Sequence, residues 1–248
     1  MPNGSSASAC VGGVADTAPA QSPVLVTGLQ LTPGKALTFI SSGQTRPCTN
    51  ASCSSPLSDS NGDTSNILSH TPGAQNGISD VTAPMSALIG VFLTSSQPNG
   101  SGAPAALSFA SSQSRDYVML APVAKQVFFI GYGTNSSGQT RHVIIPTGAT
   151  RLYLAVMDAC KYWDNGGQLM VTVADTSVSP PVLTILTPTQ FEFDGVMGRS
   201  YRVEYTTQLP AATWTPLTNI TLSCTSTSIG NIQAPAEQSR FFRVVELP

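Results

Sequence analysis

The chain has 248 residues, a formal net charge of −2 and only 10% charged residues, against roughly 25% in an ordinary soluble domain. No Lys/Arg cluster offers a footprint for a phosphate backbone or an anionic lipid surface, which excludes nucleic-acid and membrane-surface partners. No apolar run approaches the roughly 20 residues needed to span a bilayer, so membrane insertion is not expected.

With 41% hydrophobic residues, the chain can bury a core without help from metals or disulfides. Ser, Thr, Gly, Asn and Pro stand where charges are missing, a surface chemistry that suits an extracellular or cell-surface β protein. Met1-Pro2-Asn3-Gly4 lacks the basic-then-apolar pattern of an export signal. The expectation is that this start replaces one.

Residues 1–22 are rich in Ala, Ser, Gly and Pro without patterning and read as a flexible N-terminal arm. Strand-like runs then alternate with turn signals: Val24–Val26, Leu37–Ile40 after the Pro33-Gly34 turn, Leu88–Leu93, Gln126–Ile130, Arg141–Ile145, Arg151–Val156 and Leu169–Val173. Short β-branched and aromatic runs bounded by Gly, Pro, Asn and Ser mark antiparallel strands. No segment holds a 3.6-residue period over a dozen positions, so long helices are not expected. The fold class is therefore all-β, with an antiparallel β-sandwich over 23–175.

A break at Ser179-Pro180-Pro181 separates a small C-terminal β domain over 176–248, with strands at Val182–Leu186, Gln190–Phe193, Tyr201–Tyr205 and Phe241–Val245. Arg202 and Glu204 alternate with Tyr201, Val203 and Tyr205, which fits one wet and one buried face. Trp214 is expected to be buried, with a sugar-stacking role as the minority reading. The spacing Gly198-x-x-Tyr201-x-x-Glu204-Tyr205, then Trp214 and a terminal Arg240-Phe241-Phe242-Arg243-Val244-Val245, resembles an immunoglobulin-like accessory or sorting module of bacterial surface proteins.

Five cysteines stand at 10, 48, 53, 160 and 224. Cys48 and Cys53 enclose a short polar loop suited to a local disulfide, the alternative being two free thiols. Cys10, Cys160 and Cys224 cannot all pair with one another. Cys-x-x-Cys spacing is absent, which removes structural zinc.

The segment from Val156 to Gln168 carries the chemistry. It lies between two strands and must be a loop at one end of the sandwich. Asp158, Asp164 and Asn165 supply hard oxygen ligands, and Gly166-Gly167 lets the backbone turn beside them. Calcium takes six to eight such oxygens. The bland alternative is an Asx-rich turn whose side chains cap their own backbone. Tyr162 and Trp163 flank the loop and offer an aromatic face for the C–H groups of a pyranose ring.

Pro146 to Leu154, then Asp158, then Asp164-Asn165-Gly166-Gly167 and a closing strand, resemble the bacterial calcium-dependent galactophilic lectin family. Leu31–Phe39 followed by Ser41-Ser42-Gly43 is similar to that family's opening strand pair, and Ala83–Gly90 to its middle strand. The resemblance spans about 23–175. It implies Ca²⁺ held by the side chains of Asp158, Asp164 and Asn165 with main-chain carbonyls of Lys161 and Pro47. It further implies a glycan partner, terminal galactose being favoured, met by His70 and Gln75 as well as Tyr162 and Trp163.

The 48–69 segment is longer than in that family. Its Asp59-Ser60-Asn61-Gly62-Asp63 has the oxygen spacing of a calcium loop without the terminal Glu, and a solvated turn is the expectation there.

No Gly-x-Ser-x-Gly elbow or His-Glu-x-x-His motif occurs. His142 lies within an alternating strand, and nothing sets two carboxylates at the separation glycoside hydrolysis needs. A binding protein is expected rather than an enzyme. The alternatives are a calcium-stabilised surface-layer or filament subunit, with homo-oligomer contacts, and a polysaccharide-active hydrolase.

Overall fold

The computed structural model describes residues 23–49, 53–71, 73–160, 162–176, 182–187, 190–197, 199–210, 213–223, 226–230 and 240–247, and the backbone of 8–9 and 15–16. Nearly all of its regular structure is strand, as the short β-branched runs require. Helix is confined to single turns such as Ser112–Arg115. In the N-terminal arm, β1 (Ser8–Ala9) and β2 (Ala15–Asp16) form an antiparallel ladder. The rest of the arm lies outside the described residues.

Two four-stranded sheets form the first sandwich. One has the order β10 (Val127–Phe129), β7 (Leu88–Leu93), β12 (Arg151–Val156), β3 (Val24–Leu25). The other runs β13 (Gly166–Thr176), β4 (Ala36–Arg46), β11 (His142–Ile144), β9 (Met119–Leu120). Alternation sends Leu152 and Leu154 inward with Leu37, Phe39, Phe92, Phe128 and Val143, all buried in one cluster. Tyr153 and Ala155 point to the opposite side of the sheet.

A third sheet of β5 (Asp63–Ser69), β6 (Val81–Met85) and β8 (Leu107–Ser108) flanks them. Pairing is antiparallel with two exceptions among the named strands, β11 with β9 and β6 with β8, which run parallel.

The C-terminal strands also make two facing layers. One is β14 (Val182–Thr187), β15 (Gln190–Asp194) and β18 (Ser226–Ile229); the other is β17 (Thr215–Thr221), β16 (Ser200–Thr206) and β19 (Phe241–Glu246). Phe193, Tyr201 and Leu222 are buried between them. This unit does not stand clear of the first. Met197 donates its N–H to the Met119 carbonyl at 2.9 Å and accepts from Ala121 N–H at 2.8 Å. Beside it, Val196 packs with Ala36 and Ile144. Strand β9 thus carries a dipeptide of the C-terminal unit on its free side.

On β16 the alternation expected from sequence holds at Tyr201 and Val203, which are buried, but Glu204 is buried too. Its two carboxylate oxygens accept from Arg202 Nε at 2.7 Å and Arg243 Nε at 2.8 Å. Trp214 is half-buried rather than buried, with the Arg243 guanidinium 4.3 Å from its ring centroid and covering one face.

The hydrogen bond from Arg243 and the one from Arg202 hold Glu204 below its ordinary pKa of 4.5 despite the opposing effect of burial. A carboxyl whose folded pKa is depressed stabilises the fold fully above its unfolded value, and that stability is lost as pH falls through the folded value. Glu204→Gln is therefore expected to lower the melting temperature at pH 7. The gap from wild type should close as melts are repeated down to pH 3; a gap constant across that range would remove the ion pairs from the account.

Candidate functional site

The loop after β12 is fixed at both ends by the main chain. Met157 donates its N–H to the Ala87 carbonyl at 2.7 Å and accepts from Ser86 N–H at 2.7 Å. Asp158 then begins the turn, its Oδ1 accepting from Cys160 N–H at 3.2 Å, the Asx geometry expected of a capping aspartate. A 3₁₀ turn follows at Tyr162–Asp164. The Tyr162 hydroxyl oxygen accepts from Val156 N–H at 2.8 Å and folds the ring back under the loop.

The exit from the turn depends on Gly167, at φ +84°, where a Cβ would run into the Gln44 carbonyl. Beyond it β13 pairs with β4 without interruption from Gly166 opposite Arg46 to Thr176 opposite Ala36. This register sets Asn165 beside Pro47. One arm of the Asn165 carboxamide lies 2.8 Å from Asp158 Oδ2 and 3.1 Å from the Pro47 carbonyl oxygen. With nitrogen on that arm, the amide donates to both.

These are ordinary N–H···O distances, so the amide itself holds Asp158 and Pro47 together. Next along the chain, Asp164 Oδ1 is buried and accepts no hydrogen bond. Such an atom loses the solvation of a carboxylate oxygen without replacement.

Of the five residues expected as metal ligands, Asp158, Asn165 and Pro47 come together. Asp164 is their neighbour in sequence, with its Oδ1 buried and unpaired, and Lys161 lies outside the described residues. Among the described residues no three His, Cys, Asp or Glu side chains gather. The donor set at this loop is one of carboxylate, amide and main-chain oxygens, which suits a hard cation.

Three of the four sugar-binding candidates line one cavity that Asp158 shares, while Asn165, Pro47 and Asp164 do not line it. Thr71 donates its N–H to the Ala159 carbonyl at 3.0 Å, tying the segment before β6 to the loop. That segment forms one wall of an open cavity of about 170 Å³ on the outer side of β7 and β12. His70, Gln75, Asp158 and Tyr162 all line it. His70 Nδ1 is 3.0 Å from the Gly73 carbonyl oxygen. Asp80 Oδ1 accepts from His70 N–H at 3.1 Å and Val81 N–H at 2.7 Å. Trp163 does not line the cavity and is 54% exposed.

Most of the cavity wall is apolar: Ile78, Val81, Ile89, Val91, Tyr153 and Met157. Sequence reasoning did not assign these residues to the site. The signal was present in Leu88-Ile89-Gly90-Val91-Phe92-Leu93, whose unbroken apolar run marks a strand covered on both faces rather than one. Gln75 also lines the cavity, while its Oε1 is turned away from solvent, buried and without a hydrogen bond.

Cys48 and Cys53 form the expected local disulfide, with Cα atoms 5.6 Å apart, and Cys160 is disulfide-bonded as well. Asp59 and Asp63 make Asx turns with Asn61 N–H and Ser65 N–H at 2.8 and 3.0 Å, but the turn is packed rather than solvated, with Ser60 buried and its neighbours half-buried. His142 sits on β11 with Nδ1 buried and accepting nothing, and burial lowers its pKa. No helix among the described residues is long and apolar enough to cross a membrane.

No protein-family model matches the chain, and no curated protein or solved structure is similar to it. The likeness to galactophilic lectins therefore rests on the residues quoted above.

Proposed function

We propose that this chain is a calcium-dependent carbohydrate-binding module, secreted or displayed at a cell surface. The observation that carries the reading is the convergence of Asp158 Oδ2, the Asn165 carboxamide and the Pro47 carbonyl beside the cavity that His70, Gln75 and Tyr162 line. Calcium at that point would be held by Asp158, Asn165 and Pro47, with Asp164 supplying its otherwise orphaned oxygen. A bound Ca²⁺ supplies open coordination positions for vicinal sugar hydroxyls, while the cavity wall beside it receives C–H groups. Disulfide bonds at Cys48–Cys53 and at Cys160 fit an oxidising compartment.

Without the ion, the Asn165 amide donates to Asp158 and Pro47, so the loop folds and calcium is not a prerequisite. Binding then adds stability by mass action, about 2.7 kcal/mol at a hundredfold excess over Kd. For a chain of this size that is a rise of about 5–10 °C in melting temperature. Calcium is expected to produce this rise, chelator to reverse it, and Asp158→Ala to abolish it. A wild-type melting curve indifferent to chelator would leave only the Asx turn.

A glycan array with and without calcium tests the sugar half, with galactose-terminated glycans as the favoured signal. Calcium-dependent stabilisation with a silent array would turn the reading to an ion-stabilised surface subunit.

A further inference from the structure

Strand β13 leaves one whole edge of the first sandwich open. It runs 11 residues, Gly166–Thr176, and pairs with β4 along its full length. Among the described residues no strand pairs with its other side. The remaining edges of the two four-stranded sheets are guarded by contrast. Strands β3 and β9 are 2 residues long and β10 is 3, and Met197 covers β9 as well.

A long edge is ordinarily blunted by Lys, Pro or a bulge, because its free N–H and C=O groups template another strand. Strand β13 has no Lys, Arg or Pro, and its register against β4 does not shift. Its one charge, Asp175, is answered by Lys35 Nζ at 3.3 Å. On the core side Leu169, Val171 and Val173 are only half-buried, although they pack on the main cluster. On the other side Gln168, Met170, Thr172 and Ala174 are exposed. Met170 is 73% exposed, and Ile40 of β4, opposite Thr172, is 71% exposed.

We propose that β13 pairs antiparallel with β13 of a second copy of this chain, about a two-fold axis at Val171. An antiparallel strand pair has that symmetry itself, so the same edge serves both copies. With Val171 on the axis, Leu169 faces Val173 of the second copy, Met170 faces Thr172 and Gly167 faces Asp175. Apolar meets apolar on the core side, and no like charges are set opposite each other. A strand from another protein would have to reproduce this pattern, which β13 already has. The axis carries the loops after β12 to opposite ends of the joined strands, with the two Gly166 residues about 34 Å apart at the usual antiparallel rise. The pairing does not depend on what those loops bind.

The test is sedimentation equilibrium of the full chain from micromolar to submillimolar concentration, where a monomer–dimer equilibrium is expected. Met170→Lys combined with Thr172→Lys sets lysines face to face twice across the axis. It should raise the dissociation constant of the dimer about tenfold or more. Met170→Lys combined with Thr172→Glu sets each lysine opposite a glutamate and should keep the dimer within about threefold of wild type. Both positions are exposed, and melting curves of the dilute proteins check that each variant folds.

A wild type that stays monomeric throughout overturns the inference, whether its edge stays bare or takes a strand from elsewhere. A dimer indifferent to the paired lysines overturns it too, as does a Lys/Glu variant no tighter than the double lysine. Assembly that grows beyond two copies would place the contact on another surface and also overturn it.

Discussion

Phe128→Ala is expected to lower stability by about 4 kcal/mol, the usual cost of emptying a buried phenylalanine site. The ring is fully buried on β10 and stacks on Phe92 with centroids 5.3 Å apart. Its room comes from Gly90, where a Cβ would stand 2.8 Å from Phe128 Cζ. Neither neighbour can swing in to fill the void: Gly90 has no side chain, and Phe92 is itself locked at full burial. For a chain of this size, the loss corresponds to about 8–16 °C in melting temperature. Phe128→Leu should cost about a third as much, because most of the volume remains. Urea melts of the two variants check the ordering. An alanine variant within 1 kcal/mol of wild type would show that the ring does not support the sheet beneath the cavity.

Arg141 is the second large effect. Its guanidinium is buried between the rings of Tyr117 and Phe129, 5.3 and 5.1 Å from their centroids. Nη1 donates to the Ile130 carbonyl at 2.8 Å and Nη2 to the Arg115 carbonyl at 2.6 Å. The cation thus ties three loops together through carbonyl oxygens and ring faces. Arg141→Met keeps the stem but leaves the Arg115 carbonyl without a donor and the Ile130 carbonyl with only the Gly133 N–H at 3.3 Å, at about 2 kcal/mol. Arg141→Lys should recover little, since a compact ammonium cannot span both carbonyls as a planar fork does. Equal stability of the methionine variant and wild type would assign the work to the aromatic rings alone.

What could be read from the sequence follows from how much each segment is buried. Leu88–Leu93 and Arg151–Val156 are apolar enough to announce themselves as strands. Strand β5, Asp63-Thr64-Ser65-Asn66-Ile67-Leu68-Ser69, and strand β17, Thr215–Thr221, are mostly hydroxyl and amide residues at half-exposed or exposed positions. They are strands because a neighbour pairs with them, which composition does not record.

The same holds at the site. Asp158, Asp164 and Asn165 are legible as a cluster because eight consecutive residues of one loop carry them. That Pro47 completes the cluster depends on the β13–β4 register. Glu204 reads as a solvent-facing residue by alternation and is buried because two arginines on β16 and β19 neutralise it.

The contact of Met197 with β9 has a bearing on how this chain could be dismembered or recombined. Composition invites a cut at the prolines near 180, but a chain ending at Thr176 would strip the Met119 carbonyl and Ala121 N–H of their partners and uncover Ala36 and Ile144. The seam in bonding does not coincide with the seam in sequence. A foreign module grafted after Thr176 would have to bring its own hydrophobic dipeptide to β9, or leave a sticky flank on the sandwich. Exchange of C-terminal units is therefore constrained by two residues, Val196 and Met197, that belong to one unit and complete the other.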